Sequence, residues 1–324
     1  MNHTPFLLKP AYQHYLWGGN RLAEQFGKSA DRLPLAESWE CSTHPNGVSR
    51  VISGVFDGLP LSEVLRVHPS FLGKKYEGET ELPILVKLID AEKDLSIQVH
   101  PTDDYAREHE NGQRGKTEMW YVLDAAPGAE LICGFRRECT KEEIKAHAQD
   151  GTLEDVLCRV PVKKGDAFFI EAGTVHAICA GCLVAEIQES SNLTYRLYDY
   201  NRRDAEGNLR PLHLEKALEV ANLHTTDPAR VRVFEGGETA ELSRTVASCK
   251  YFQVSLWNIS SIDAMPVPLP SQDSFAVLLC IEGEGELETD TGFLPLRKGD
   301  CVFVPAENES VTLSGPLKLL CIRG

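Results

Sequence analysis

The feature that most constrains the fold is a block that occurs twice. Val162-Lys163-Lys164-Gly165-Asp166-Ala167-Phe168-Phe169-Ile170-Glu171-Ala172 recurs as Leu296-Arg297-Lys298-Gly299-Asp300-Cys301-Val302-Phe303-Val304-Pro305-Ala306, 134 residues further on. Upstream, residues 119–123 through 128–131 match 275–279 through 285–287 at an offset of 156. Each half therefore reads as strand, glycine-rich hairpin turn, strand, Lys-Gly-Asp turn and strand, the plan of a small jelly-roll barrel. The expected fold is mainly β, with two barrels in tandem.

The 22-residue difference between the offsets has a location. Thr140 and Glu143 stand at capping-box spacing ahead of a helical apolar pattern that begins at Ile144. A small helical insertion at about 136–158 is expected in the first barrel alone. A second amphipathic stretch, at about 211–222, reads as a helix linking the barrels. The expected division is 1–235 for N-terminal strands plus the first barrel, and 236–324 for the second.

Within the first half, Leu95-Ser96-Ile97-Gln98-Val99-His100 alternates apolar and polar residues. That period of two signals a strand with Ser96, Gln98 and His100 on one face. Lys116 and Glu118 share a face in the same way, and His176 follows a glycine turn at the start of another strand. Imidazole and carboxylate suit Zn²⁺ and other first-row metals, and a His-Glu-His set leaves coordination positions open. Gln98 is either a further ligand or a brace for one. In the repeat, Gln98, His100 and Glu118 fall opposite Val254, Leu256 and Ser274, and His176 opposite Ser310. The metal site is thus expected in the first barrel, with the second structural. No metal role is expected for His213 or His224, and residues 282–288 read as an exposed hairpin turn.

A formal charge of −15 argues against nonspecific nucleic-acid binding. No apolar run approaches the roughly 20 residues needed to cross a bilayer, and the N-terminus lacks the pattern of a secretory leader. The ten cysteines are scattered singly, apart from Cys179 and Cys182, which suits reduced, mostly buried thiols. A cytoplasmic protein is expected, as monomer or homodimer.

These motifs resemble a known family. Residues 95–101, Lys116-Thr117-Glu118 and Gly173-Thr174-Val175-His176 are similar to the metal-site motifs of the type I mannose-6-phosphate isomerases, or phosphomannose isomerases. Tyr15-Leu16-Trp17-Gly18-Gly19, Ala36-Glu37-Ser38-Trp39-Glu40 and the Glu186-to-Arg196 spacing also resemble that family. The likeness runs from about residue 6 to 203 and agrees with the short bacterial form. It implies two cupin barrels and a Zn²⁺-dependent enzyme, one ion per chain, interconverting D-mannose 6-phosphate and D-fructose 6-phosphate. It implies Gln98, His100, Glu118 and His176 as ligands and Arg196 as the catalytic arginine. It also puts Ser96, Lys87 and Lys116 along the substrate pocket. The chain departs from larger members after Arg196, where the basic residue six places on is Arg202 rather than Lys.

Aldose–ketose isomerisation moves a proton between C1 and C2 through a cis-enediol, so it needs a base and a fixed positive charge for the developing oxyanion. Glu186 shares a strand face with Val184 and Gln188 and is the first carboxylate to consider; Lys116 and Arg196 supply charge. Arg202 and Lys116 are the expected phosphate partners. Two other readings fit less of the sequence: a non-catalytic sugar-phosphate-binding cupin, and an Fe²⁺-dependent cupin dioxygenase.

Overall fold

Antiparallel pairing organises the computed structural model, which describes residues 3–203, 207–237, 241–260, 263–269, 272–289 and 292–324. The fold is mainly β. Two compact units interleave along the chain. One comprises Met1–Gln13, Asn20–Leu88 and Gly237–Gly324, the other His14–Gly19 and Ile89–Gly236.

The second of these units holds two groups of paired strands. Cys182–Glu189, Glu118–Ala125, Ala167–Ile170 and Arg232–Phe234 lie side by side in that order. The other group runs Tyr195–Tyr198, Ile97–Val99, His176–Ile178, Glu130–Phe135 and Leu157–Pro161. Period-two alternation turns Ile97, Val99, Ile132, Ala177, Tyr195 and Leu197 into one apolar cluster with Ile144, Ala148, Val156 and Leu218. Each large aliphatic side chain buried there contributes about 1.5–3 kcal/mol. The helical partners are Lys141–Asp150 and Leu214–Val220, with the short 3₁₀ turn Leu153–Val156. Helices thus form inside 136–158 and inside 211–222. The capping box is present: Glu143 N donates to Thr140 Oγ1, and Thr140 N to Glu143 Oε2. Gln98, His176 and Cys133 sit in register on neighbouring strands and so share the face turned away from the helices.

In the first unit the strand order is Ser243–Ser248, Gln253–Ile259, Leu317–Arg323, Ala276–Thr289, Cys301–Val304, Phe6–Lys9 and Arg50–Val51. Met265–Pro268, Ser310–Ser314 and Gly292–Arg297 complete it around the far half of Ala276–Thr289. Its core gathers Trp257, Leu278, Leu287, Val302, Leu313 and Leu319.

The Lys-Gly-Asp turn closes in the same way in both units. Asp166 Oδ2 accepts from Lys163 N at 3.2 Å, and Asp300 Oδ2 from Arg297 N at 2.7 Å. Gly165 and Gly299 have φ of 90° and 99°, a region open to glycine. Gly165 N donates to Val122 O, and Gly299 N to Cys280 O. That pairing makes Val122 the counterpart of Cys280, which corrects the upstream offset to 158. Glu118, facing Ile170, then corresponds to Ala276, facing Val304, instead of Ser274. Gln98 faces His176 in one unit while Pro268 faces Ser310 in the other, so Pro268 replaces Val254 as its counterpart. The position matching His100 falls at 270, outside the described residues. One apolar strand matches another in a linear comparison, whereas the partner strand identifies each uniquely. Under the corrected register, Ala276, Pro268 and Ser310 offer neither imidazole nor carboxylate.

A second correction concerns residues 282–288. They lie inside the 14-residue strand Ala276–Thr289, paired with Gly292–Arg297, and form no turn. Their glycines serve close approach: a Cβ on Gly285 would stand 2.1 Å from Ser314 O.

Candidate metal centre

Two strand starts and one strand end bring the expected donors together. His100 follows Ile97–Val99, Glu118 opens Glu118–Ala125, and His176 opens His176–Ile178. All three are buried, and their ligating atoms lie within 4.8 Å of one another. Glu118 divides its carboxylate between the rings: Oε1 is 3.3 Å from His176 Nε2, and Oε2 is 3.7 Å from His100 Nε2.

Backbone carbonyls fix the imidazoles. His100 Nδ1 donates to Leu193 O at 2.7 Å, and His176 Nδ1 to Thr174 O at 2.8 Å. A carbonyl can only accept, so each Nδ1 carries a proton and each ring turns its Nε2 toward Glu118. Such outer bonds orient metal-binding histidines. Burial pushes His176 down to about 4, against the raising effect of its Thr174 bond, so the ring is neutral at pH 7. His176 Nε2 is buried and makes no hydrogen bond. Two Nε2 atoms and a carboxylate converging in a buried space fit a divalent ion of the zinc type.

Around this cluster the structure gathers several other expected residues. Lys116 Nζ is 2.6 Å from Glu118 Oε2, 3.3 Å from His100 Nε2 and 3.6 Å from Glu186 Oε1. Glu186 faces Trp120 across the strand pair, and its Oε2 accepts from Trp120 Nε1 at 3.1 Å. The Trp120 ring meets His176 edge-on at 5.4 Å. Gln98 stands between His176 and Arg196 in register, so the three form a row across adjacent strands.

At the end of that row Arg196 Nε donates to Ser96 Oγ at 3.3 Å and one terminal nitrogen to Pro211 O at 2.8 Å. His213 holds the Arg196 backbone from both sides, its Nδ1 accepting at 3.1 Å and its N donating at 2.8 Å. Asp199 binds two further guanidiniums, Arg202 at 2.5 Å and Arg210 through Nε at 2.7 Å. Burial pushes the Asp199 carboxyl up, but those arginine bonds outweigh it and hold it below the usual range. Burial, with the charges of Arg210 and Arg202, holds Arg196 below its ordinary value.

Lys87 belongs to the other unit. There it lies 3.6 Å from Glu37 Oε2 and 5.0 Å from the Trp39 ring centroid, and Trp39 Nε1 donates to Glu37 at 2.7 Å. Sequence reasoning missed Trp120, Arg210, Asp199 and the bracing by His213. Trp120 was accessible in principle, two residues from Glu118 on an alternating strand. The Asp199 pairings depend on loop geometry and left no periodic trace.

A model of the type I phosphomannose isomerase catalytic domain matches residues 6–137, and one of the mannose-6-phosphate isomerase cupin domain matches 243–323. The mannose-6-phosphate isomerase of Bacillus subtilis is 41% identical over 305 residues, covering 94% of each chain. A crystal structure of the mannose 6-phosphate isomerase from Bacillus subtilis superposes with a TM-score of 0.88 at 35% identity, covering 98% of this chain and 99% of that one. A mannose 6-phosphate isomerase solved with zinc and yttrium shares the fold at 18% identity and a TM-score of 0.76, covering 99% of each chain.

Proposed function

Because the chain belongs to the type I mannose-6-phosphate isomerases, we propose that it works through the cluster around Glu118. It is an aldose–ketose isomerase interconverting D-mannose 6-phosphate and D-fructose 6-phosphate. The observation that carries the site is the convergence of His100, Glu118 and His176 with two carbonyl-fixed Nε2 atoms. These residues, with Gln98 beside His176, would hold one Zn²⁺ per chain; a zinc-bound relative of the same fold supports that choice. The ion would supply positive charge that stabilises oxyanions at C1 and C2.

The chain's own residues do the rest. Glu186 takes the proton from C2 of the aldose and returns it to C1, and the Trp120 bond to Oε2 orients its carboxylate. Lys116, 3.6 Å from that carboxylate, supplies an ammonium that tracks the proton between carbon and carboxylate. Arg196 faces the developing enediolate from the Gln98 row, and Ser96 steadies its guanidinium. Arg202 anchors the phosphate with a planar fork suited to it. For Lys87 a substrate role rests on the resemblance alone. The catalytic region is read as a cupin barrel ending near residue 235, and 236–324 as a second, degenerate barrel that carries no ligand set. No described helix is long and apolar enough to cross a membrane.

Mannose 6-phosphate incubated with the metal-loaded chain in D₂O tests this by ¹H NMR. Conversion to fructose 6-phosphate with deuterium entering only at the C1–C2 pair is expected. Tight binding of the sugar phosphate without conversion would leave the binding-protein reading instead.

A further inference from the structure

A fully buried polar side chain on the strand face of Glu118 has no part in the mechanism. Gln188 is 0% exposed and pairs across the strands with Glu118, so the two share a face. Its Nε2 donates twice, to Glu189 O at 2.8 Å and to Ser191 O at 2.6 Å. A flipped amide would set its oxygen against two carbonyl oxygens, so the two acceptors fix which end is which. Oε1 is then left buried without a hydrogen-bond partner among the described residues. Orphan acceptors of this kind destabilise a fold, and one in a native core calls for a reason.

The reason lies in what the two donors hold. Ser191 N donates to Glu189 O, closing a tight turn. Ser191 Oγ donates to Arg114 O at 3.0 Å and accepts from Leu193 N at 3.3 Å. Leu193 O is the carbonyl that receives His100 Nδ1. An unbroken path therefore runs from the Gln188 amide through Ser191 and Leu193 to the His100 ring. His176 has no such dependence, since its own carbonyl partner, Thr174 O, lies two residues away. The two imidazoles look alike but are oriented by different parts of the chain.

We propose that Gln188 is a positioning residue for the metal centre, fixing the tautomer and aim of His100, and not of His176, through the 189–193 turn. The inference rests on the metal-centre reading, but its first test needs no metal. In the metal-free chain, ¹⁵N-histidine NMR should report the Nδ1–H form for both residues. In Gln188→Met and Gln188→Glu, which keep the volume and lose the donors, His100 should become a mixture of tautomers while His176 stays unchanged. Ser191→Ala cuts the same path further along and should shift His100 in the same direction, a second route should either Gln188 variant fail to fold. Zn²⁺ affinity, read by competition with a chromophoric chelator, should fall about 10–100-fold in the Gln188 variants. An unchanged His100 spectrum in all three variants overturns the proposal. So does an equal shift of both histidines, which would mark a general core defect. If the wild-type chain binds no Zn²⁺ at all, the metal reading fails while the His100 result still decides the positioning claim.

Discussion

The Lys116 ammonium lies 2.6 Å from Glu118 Oε2, inside the group of donors rather than beside it. It is also 3.3 Å from His100 Nε2, so a lysine cation and a divalent cation would draw on the same carboxylate. Lys116→Met removes the competitor while keeping the packing. Zn²⁺ affinity is expected to stay or rise a few-fold, while kcat falls by about 100-fold or more. Chelator competition and a coupled isomerase assay on one preparation check both, and loss of metal binding in this variant would contradict the assignment.

Arg202 and Arg210 share Asp199, which leaves two guanidiniums against one carboxylate near Arg196. That excess of positive charge suits a phosphate dianion. Arg202→Ala should raise KM for mannose 6-phosphate by about tenfold or more and change kcat by less than about threefold. Asp199→Asn should lower the salt resistance of KM, since both arginines lose their anchor. Steady-state kinetics across an ionic-strength series reads both effects.

Glu189 gives a pH signature separate from catalysis. Burial pushes its carboxyl up to about 7, against the Thr117 N–H that lowers it, with Asp103 adding to the rise. A carboxyl raised in the folded state binds its proton more tightly there than when unfolded. Its cost is therefore absent below the ordinary value of 4.5, grows as pH climbs toward 7, and is complete above that. Glu189→Gln keeps an acceptor for Thr117 N and cannot ionise. Denaturant melts should show the variant more stable by roughly 1–3 kcal/mol at pH 8 and nearly equal at pH 4.

Thr140→Ala removes one half of a reciprocal cap, 2.8 and 3.2 Å in its two bonds, on a helix whose start is exposed. Stability should fall by about 1 kcal/mol with isomerase activity intact. An equal loss of activity would tie this helix to the site more closely than its packing behind Ile97 and Val99 implies.

How much of this was legible follows from the range of each interaction. Alternation at 95–100 and 183–188 fixed which side chains share a face, because a strand's period is local. The cap at Thr140 was readable for the same reason. The repeat was also visible, yet its register slipped by two residues at Glu118, and Gln98 was set against Val254 when its structural counterpart, Pro268, lies fourteen residues further on. Pairing partners, which residue types do not encode, decide that match. The association of Phe6–Lys9 with Cys301–Val304 spans nearly the whole chain and leaves no local signal. The same holds for Asp199 with Arg210 and for the turn that carries Leu193 O to His100.

The most direct test of the central claim is one preparation measured for metal content and activity through a cycle of chelation and reloading. The account expects about one Zn²⁺ per chain, loss of mannose 6-phosphate isomerisation with the ion, recovery on Zn²⁺ addition, and neither binding nor recovery in Glu118→Ala. Full turnover by a chain shown to be metal-free, or unimpaired Zn²⁺ binding by Glu118→Ala, would contradict it.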